Sequence, residues 1–481
     1  MATQTQADLR GAVARPPAGS VLGAILLAGG FFAYIASILL DQPLATDLSA
    51  VLILCFIALN LGRASRIVQM FAAASVLIAL AGWVSGTITL ADYGVAAGRV
   101  AFLTSILVAL IFLRLVAQRD AAFAAAGGFL ASQPPSRRYV SLGIGGNLFG
   151  VLLNLGGLGL LIEMTLAGQR RMEAANGVSS AVHDVRERRI VTAIVRGFAT
   201  IAFWSPFGIA LNTLLLILTD LHWADAAPWG VAFSFGFLAL GAVMDVIERR
   251  IFPILPKPVV VPPSPGDAAG LWAVLAHLVG LGLLVVGGDV ILPFSFQEVL
   301  VTVVPIYALV WALARFGTFG AKRLRHDFVA NSARYVNEVG VFALAGLIGA
   351  LLVAMVPQDA LDPVLLAIVD FGGPVALVLA LAWATLALAM VGFHPIISVV
   401  ILAEFMARTP LISQQATLLA LLTGWTLTVC LAPLATTATY VGAIVNRSPL
   451  VVSLRWNGVF GLVGLAAFSA VLVAGVTFGW F

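Results

Sequence analysis

Charge is what this chain has least of. Asp, Glu, Lys and Arg make up 10% of its 481 residues, against about 25% in a soluble globular domain. With 61% hydrophobic residues and a mean hydropathy of +1.07, that scarcity excludes a soluble protein and implies an all-α polytopic membrane protein. Cysteine is almost absent. Cys55 and Cys430 fall in apolar segments and read as small core residues with free thiols, so no disulfide framework is expected. Long polar segments are missing too: the longest, 169–188 and 251–268, are too short for a catalytic domain. There is no His-Glu-x-x-His, and Gly287-Gly288-Asp289 has no second membrane aspartate beside it, as a diaspartyl protease would need. Nothing pairs a nucleophile with a base, so no enzyme, metal or cofactor is expected. The net charge of +4 reflects cytoplasmic arginines rather than a nucleic-acid surface.

What is present is a series of apolar runs of about 20 residues, the length that spans a bilayer. Residues 1–20 are polar, and Val21 to Leu40 is long enough to span and has no small-residue cleavage site, so a first transmembrane helix is expected rather than a signal peptide. Arg10 and Arg15 place the N-terminus in the cytoplasm, of the inner membrane. Helices follow at about 48–62, 67–88 and 97–116. The next run, 139–168, is glycine-rich and has basic residues at both ends. Both flanks are then cytoplasmic and the run is a re-entrant hairpin with its midpoint at Asn154; a single crossing would place five arginines outside. Helices 5 (189–221) and 6 (228–247) lead to a linker, 251–268, with prolines at 253, 256, 258, 262, 263 and 265. The second half runs through helices at 269–287, 298–315 and 337–356, a second over-long run at 373–406 and helices at 414–445 and 458–480. Of the 26 Lys and Arg residues, all but Arg99, Arg196 and Arg408 are cytoplasmic on this map.

Two of the helices are interrupted. Phe203-Trp-Ser-Pro-Phe-Gly-Ile-Ala-Leu-Asn212 sets a proline, a glycine and hydrogen-bonding side chains inside an apolar segment, and Leu431-Ala-Pro-Leu-Ala-Thr-Thr-Ala-Thr439 does the same. Irregular backbone at membrane depth is tolerated only where it lines a cavity or packs against protein. At an offset of 227 positions Gly197 matches Gly424, Phe198 matches Trp425 and Pro206 matches Pro433. Leu161-Ile-Glu163 and Leu402-Ala-Glu404 close the two hairpins. Units 48–250 and 269–481 therefore read as inverted-topology repeats, helices 2–6 and 7–11, whose paired breaks point to a transport site.

Ser205-Pro206-Phe207-Gly208-Ile209-Ala210-Leu211-Asn212 resembles the Thr-Pro-x-Gly-x-x-x-Asn break of the ion transporter superfamily, which includes divalent anion:sodium symporters, arsenite pumps and some sodium/proton antiporters. Pro433-Leu434-Ala435-Thr436-Thr437-Ala438-Thr439 is similar to its second break, with Thr439 where asparagine is usual. The resemblance spans about residues 48–480. It implies about eleven transmembrane helices plus two hairpins in an elevator-type, homodimeric secondary transporter. Sodium-coupled dicarboxylate members carry Ser-Asn-Thr at each tip; here the tips are Leu153-Asn154-Leu155 and Phe393-His394-Pro395.

The expected substrate- or ion-binding set is Asn154, Gly156, Ser205, Pro206, Gly208, Asn212, His394, Pro395, Ser398, Thr436, Thr437 and Thr439. Asn154 is either a turn cap or a ligand contact. His394, the one titratable group at a tip, is the candidate proton site, so the coupling ion is a proton or sodium. Arg196 either snorkels to the interface or faces the cavity and attracts an anion. Glu163 and Glu404 read as interfacial ion-pair partners, and His277 as structural. The expected function is secondary active transport of a small anionic solute across the bilayer, with a channel, a membrane enzyme or an assembly subunit as alternatives.

Overall fold

A computed structural model describes residues 18–176, 180–251 and 267–481. Among them every regular element is helical. The N-terminal arginines Arg10 and Arg15 and the linker prolines lie outside the described residues.

The first half opens with α1 (Ala18–Leu40), α2 (Pro43–Asn60), α3 (Arg66–Ser85) and α4 (Leu90–Ala117). A short apolar α5 (Ala121–Ala131) leads into a hairpin of α6 (Pro135–Leu153) and α7 (Leu155–Asn176). The broken helix follows as α8 (Ser180–Ala199), α9 (Ile201–Trp204) and α10 (Ile209–Ile217), then α11 (Trp223–Ile251). The second half comprises α12 (Asp267–Ile291), α13 (Phe296–Asn331), α14 (Val336–Met355), α15 (Gln358–Met390), α16 (Pro395–Ala407), α17 (Gln414–Leu431), α18 (Thr436–Val445) and α19 (Trp456–Phe478). Helix starts follow local chemistry. Thr89 and Asp92 form a reciprocal capping box at α4, and Ser295 and Glu298 do so at α13.

Eleven helical stretches among the described residues are long and apolar enough to cross a membrane. That is the expected number, but the members differ. Phe296–Met355 holds two of the expected helices in one stretch, and Asp362–Met390 counts as a span where the first arm of a hairpin was expected. The backbone accounts for the second difference: α15 bends at Gly372 and Gly373, the latter at φ 69°, a left-handed conformation that glycine adopts without penalty. The arm proper runs from Pro374 to Met390 and pairs with α16. The first hairpin turns at Asn154, with both arms longer than the expected 139–168.

Three expectations need correction. Helix 2 starts at Pro43 rather than 48, because proline is preorganised for the first helical turn; a boundary between 47 and 48 would cut the helix. Most of the segment 169–188 is helix rather than loop, since α7 continues to Asn176 and α8 begins at Ser180. Its arginines and glutamates are good helix formers and carry the helices past the apolar layer. Cys430 is buried as expected, but Cys55 is exposed on the protein surface.

The helices form two bundles. In the first, α1 packs on α2, and α4 packs on α13 and α14, with α3 against α14. In the second, α6 packs on α8, α15 on α17, α9 on α11 and α17 on α19. Helix α5 links them, lying along α12 and touching both arms of the first hairpin. The most enclosed spans are α4 and the two broken helices, 72–78% buried, whereas the α3 span is 17% buried and shows Met70, Leu77 and Val84 outward. Such an apolar periphery suits contact with acyl chains.

The close approaches recur between the halves. Gly197 of α8 lies against the Gly143 carbonyl, and a Cβ there would run into it; a Cβ on Gly424 of α17 would meet the Ala382 carbonyl and the Thr385 side chain. Gly230 of α11 abuts Phe203, just before the first break, and Gly461 of α19 abuts Leu431, just before the second. Substituting Gly197→Ala is expected to force α8 from α6 and cost about 1–3 kcal/mol, as overpacking does. Thermal unfolding of the purified protein checks this, with Gly458→Ala, which faces open space, leaving the midpoint unchanged.

Candidate functional site

The first break is closed on itself. Ser205 leaves the helix with extended backbone and Gly208 re-enters it. The Ser205 hydroxyl accepts from Phe207 N at 3.2 Å, and Gly208 N donates to Ser205 O at 2.9 Å. The Asn212 amide donates to the carbonyls of Pro206 (2.8 Å) and Gly208 (2.9 Å), while Trp223 Nε1 donates to Trp204 O at 3.2 Å. Ser205, Pro206, Gly208 and Asn212 are all buried. The carbonyls that proline and the turn release are thus retained by side chains, as burial demands. One atom is left over: Asn212 Oδ1 is buried without a hydrogen-bond partner.

The second break is open. Ala432 and Ala435 have extended backbone, Leu434, Thr436 and Thr439 are exposed, and Thr437 is buried. Thr439 stands where Asn212 does, but its shorter hydroxyl bonds back only to Thr436 O (2.9 Å) and Ala435 O (3.3 Å). No side chain caps α18.

The tips are capped turns. Asn154 adopts φ 53°. Its side chain accepts from Leu155 N at 2.9 Å, and its carbonyl accepts from Gly157 N and Leu158 N. The capping role is therefore present. Gly156 sits against α4, where a Cβ would press on Gln118 and Arg114. At the second tip Gly392 (φ 105°) turns the chain. His394 Nδ1 accepts from Ile396 N at 3.4 Å and caps α16, Pro395 takes the first helical turn, and buried Ser398 donates to Pro395 O at 3.2 Å. The His394 ring meets Phe342 of α14 edge-on, centroids 6.1 Å apart. Val391 and Phe393 are exposed.

The two halves cross over. Helix α10, after the first break, packs on α16 of the second hairpin, and α18, after the second break, packs on α7 of the first. A Cβ on Gly159 of α7 would run into the Tyr440 side chain of α18, and Gly392 lies beside Leu434. Both hairpins and both breaks therefore belong to one bundle.

Arg196 neither snorkels nor faces a cavity. It is 7% exposed; its Nε donates to Asn457 Oδ1 at 2.9 Å, an Nη donates to the Tyr139 hydroxyl at 3.2 Å, and the guanidinium lies 4.0 Å over the Phe460 ring. Every direction is taken, so anion attraction at Arg196 is corrected to a structural role. His277 stacks on Trp311 and hydrogen-bonds Tyr307. Glu163 is exposed, and Glu404 pairs with Arg99 at 2.8 Å. No group of three or more His, Cys, Asp or Glu that could hold a metal occurs among the described residues.

A feature missed in the sequence is a cavity of about 420 Å³ at the opposite end of the bundle from Arg114, lined by Tyr34, Asp41, Arg99, Leu216 and Glu298 among others. The signal was an arginine, Arg99, inside an apolar stretch of α4.

No protein family and no curated protein matches the sequence. Eleven solved chains match the structure. One is the YdaH transporter of Alcanivorax borkumensis, whose crystal structure reveals an unusual topology: the TM-score is 0.57 at 16% identity, covering 86% of this chain and 99% of that one. The likeness is one of fold. The chain is an integral membrane protein with a fold found in a transporter.

Asn212→Ala removes two buried hydrogen bonds and is expected to cost about 1–3 kcal/mol. Thr439→Ala, at an exposed helix turn, should fall within about 0.5 kcal/mol. Thermal unfolding of the two variants side by side distinguishes the closed break from the open one.

Proposed function

We propose that the protein is a secondary active transporter of a small anionic solute, built on the plan of the ion transporter superfamily. Its two repeats, the first from Pro43 to about 250 and the second 269–481, have inverted orientation, and it works as a homodimer in the inner membrane with the N-terminus cytoplasmic. The observation that carries this is the gathering of both hairpins and both broken helices in one bundle, with one break exposed and the other sealed. A site open on one side and closed on the other suits alternating access better than a continuous pore. The matched glycine contacts and the exchange of α10 and α18 between hairpins support the repeat.

The anionic preference comes from the uncapped start of α18. Its free amides and positive dipole end favour negative charge, and Thr436 and Thr437 supply hydroxyls beside them. Asn154 with Gly156 and the His394–Pro395–Ser398 tip form the other walls. Ser205, Pro206, Gly208 and Asn212 act as the rigid floor, with Asn212 Oδ1 the one atom there able to accept a further bond.

Proton coupling follows from how His394 caps its helix. Nδ1 accepts from Ile396 N only while that nitrogen is unprotonated. Taking up a proton there breaks the cap and frees the tip, so the charge on the ring and the position of the hairpin are linked. The Ser-Asn-Thr tips of sodium-coupled relatives are missing, which disfavours sodium.

In proteoliposomes, uptake of labelled small anions is expected under an imposed proton gradient. His394→Ala is expected to abolish the pH-driven component and leave the thermal unfolding midpoint in place. Undiminished pH-driven uptake in that variant would remove the proton role. Absence of uptake of every anion under proton and sodium gradients would remove the transporter.

A further inference from the structure

Arg99 joins the two bundles at the end expected to be external. It rises from α4 of the first bundle, where Nη1 donates to Leu216 O at 2.8 Å and Nη2 lies 2.8 Å from Glu404 Oε1. Leu216 belongs to the last turn of α10 and Glu404 to α16, both in the second bundle. The other arginine pairs in and just after α4, Arg114–Glu338 and Arg119–Asp327, remain with the first bundle. The guanidinium and carboxylate are each 14% exposed. One donor is left over: Arg99 Nε is buried without a hydrogen-bond partner. Arg99 also lines the cavity of about 420 Å³, whose acidic groups are Asp41 and Glu298, a size suited to a small molecule.

We propose that Arg99 is an anion-reading gate at this cavity: it holds the hairpin bundle through Glu404, and a small monocarboxylate entering the cavity takes Glu404's place. The planar guanidinium fork matches a carboxylate, and Glu404 is a carboxylate already seated on it. Asp41 and Glu298 repel ligands with more negative charge, which limits the guest to a single carboxylate. Exchange of Glu404 for the guest breaks the Arg99 tie to α16 and loosens that helix, which still packs on α14, and the buried guanidinium stays paired. The inference rests on the second bundle being the moving body, and it places the first recognition step outside the central site.

The test uses the full chain in lipid nanodiscs, with hydrogen–deuterium exchange of α16 and α10 as the readout and sodium butyrate as the probe. Butyrate is expected to speed exchange in these helices, with sodium chloride and sodium citrate at equal ionic strength having no such effect. Glu404→Gln is expected to speed exchange without butyrate and to lower the half-maximal butyrate concentration about three- to tenfold, the worth of a partly exposed competing ion pair. Arg99→Gln should show fast exchange and no butyrate response. Should it fail to fold, Arg99→Lys keeps the charge without the fork and is expected to respond only weakly. Exchange in Glu404→Gln equal to that of the unaltered protein, or an equal butyrate response after Arg99 is replaced, overturns the proposal. No transport is measured, so failure here leaves the transporter standing, and failed uptake leaves the gate standing.

Discussion

The structure depends on one requirement, that backbone released from a helix at membrane depth must find partners inside the protein. Each unmatched group costs several kcal/mol in hydrocarbon. Two helices break, and the first break is enclosed by the elements around it. Trp223 of α11 reaches the carbonyl of Trp204, and Ser234 of the same helix donates to Thr200 O at 3.0 Å. Asn147 of the first hairpin donates to the Thr200 hydroxyl at 2.9 Å. Glycines at 197, 230, 424 and 461 permit these close approaches. The peripheral helices then screen the centre from lipid, which is why α3 is mostly bare and the broken helices mostly buried.

The same requirement explains why the breaks differ. An asparagine has two amide hydrogens and enough reach to hold the Pro206 and Gly208 carbonyls together. The threonine at the matching position has one hydroxyl hydrogen and shares it between carbonyls three and four residues back in its own helix. The second break consequently relies on its surroundings being wet, and it is the exposed one. At this matching position the asparagine ties the released carbonyls of its break together, and the threonine does not.

Local grammar made much of this legible. Asn154 marks the turn of the first hairpin because a polar residue among glycines at the midpoint of an over-long apolar run is where the chain can reverse. The bend before the second hairpin falls at Gly372–Gly373, next to a proline, where breaker residues say it should. The Gly197–Gly424 match reflects a shared contact, each against a carbonyl of its hairpin's first arm. Long-range partners were not legible. Arg196 looked like a charge needing water or a ligand because Asn457, Tyr139 and the Phe460 ring are distant in sequence. The polar segment 169–188 looked like a loop because charge density distinguishes lipid from water, not helix from coil.

The charges on α4 divide by depth in a way that composition cannot reveal. Near its end, Arg114 forms a forked pair with Glu338 at 3.0 and 3.2 Å, and Arg119 pairs with Asp327; these fasten α4 to α13 and α14 and make the first bundle a rigid unit. Near its start, Arg99 fastens the same helix to the other bundle. Helix α4 is therefore both the spine of one body and, beside the packing of α14 on α16, a point of attachment of the second. A doubly hydrogen-bonded pair within a body resists exchange, whereas a pair with an unsatisfied donor across a boundary is open to competition. If the hairpin bundle moves, the physics of these contacts places the first separation at Arg99, with α4 staying behind.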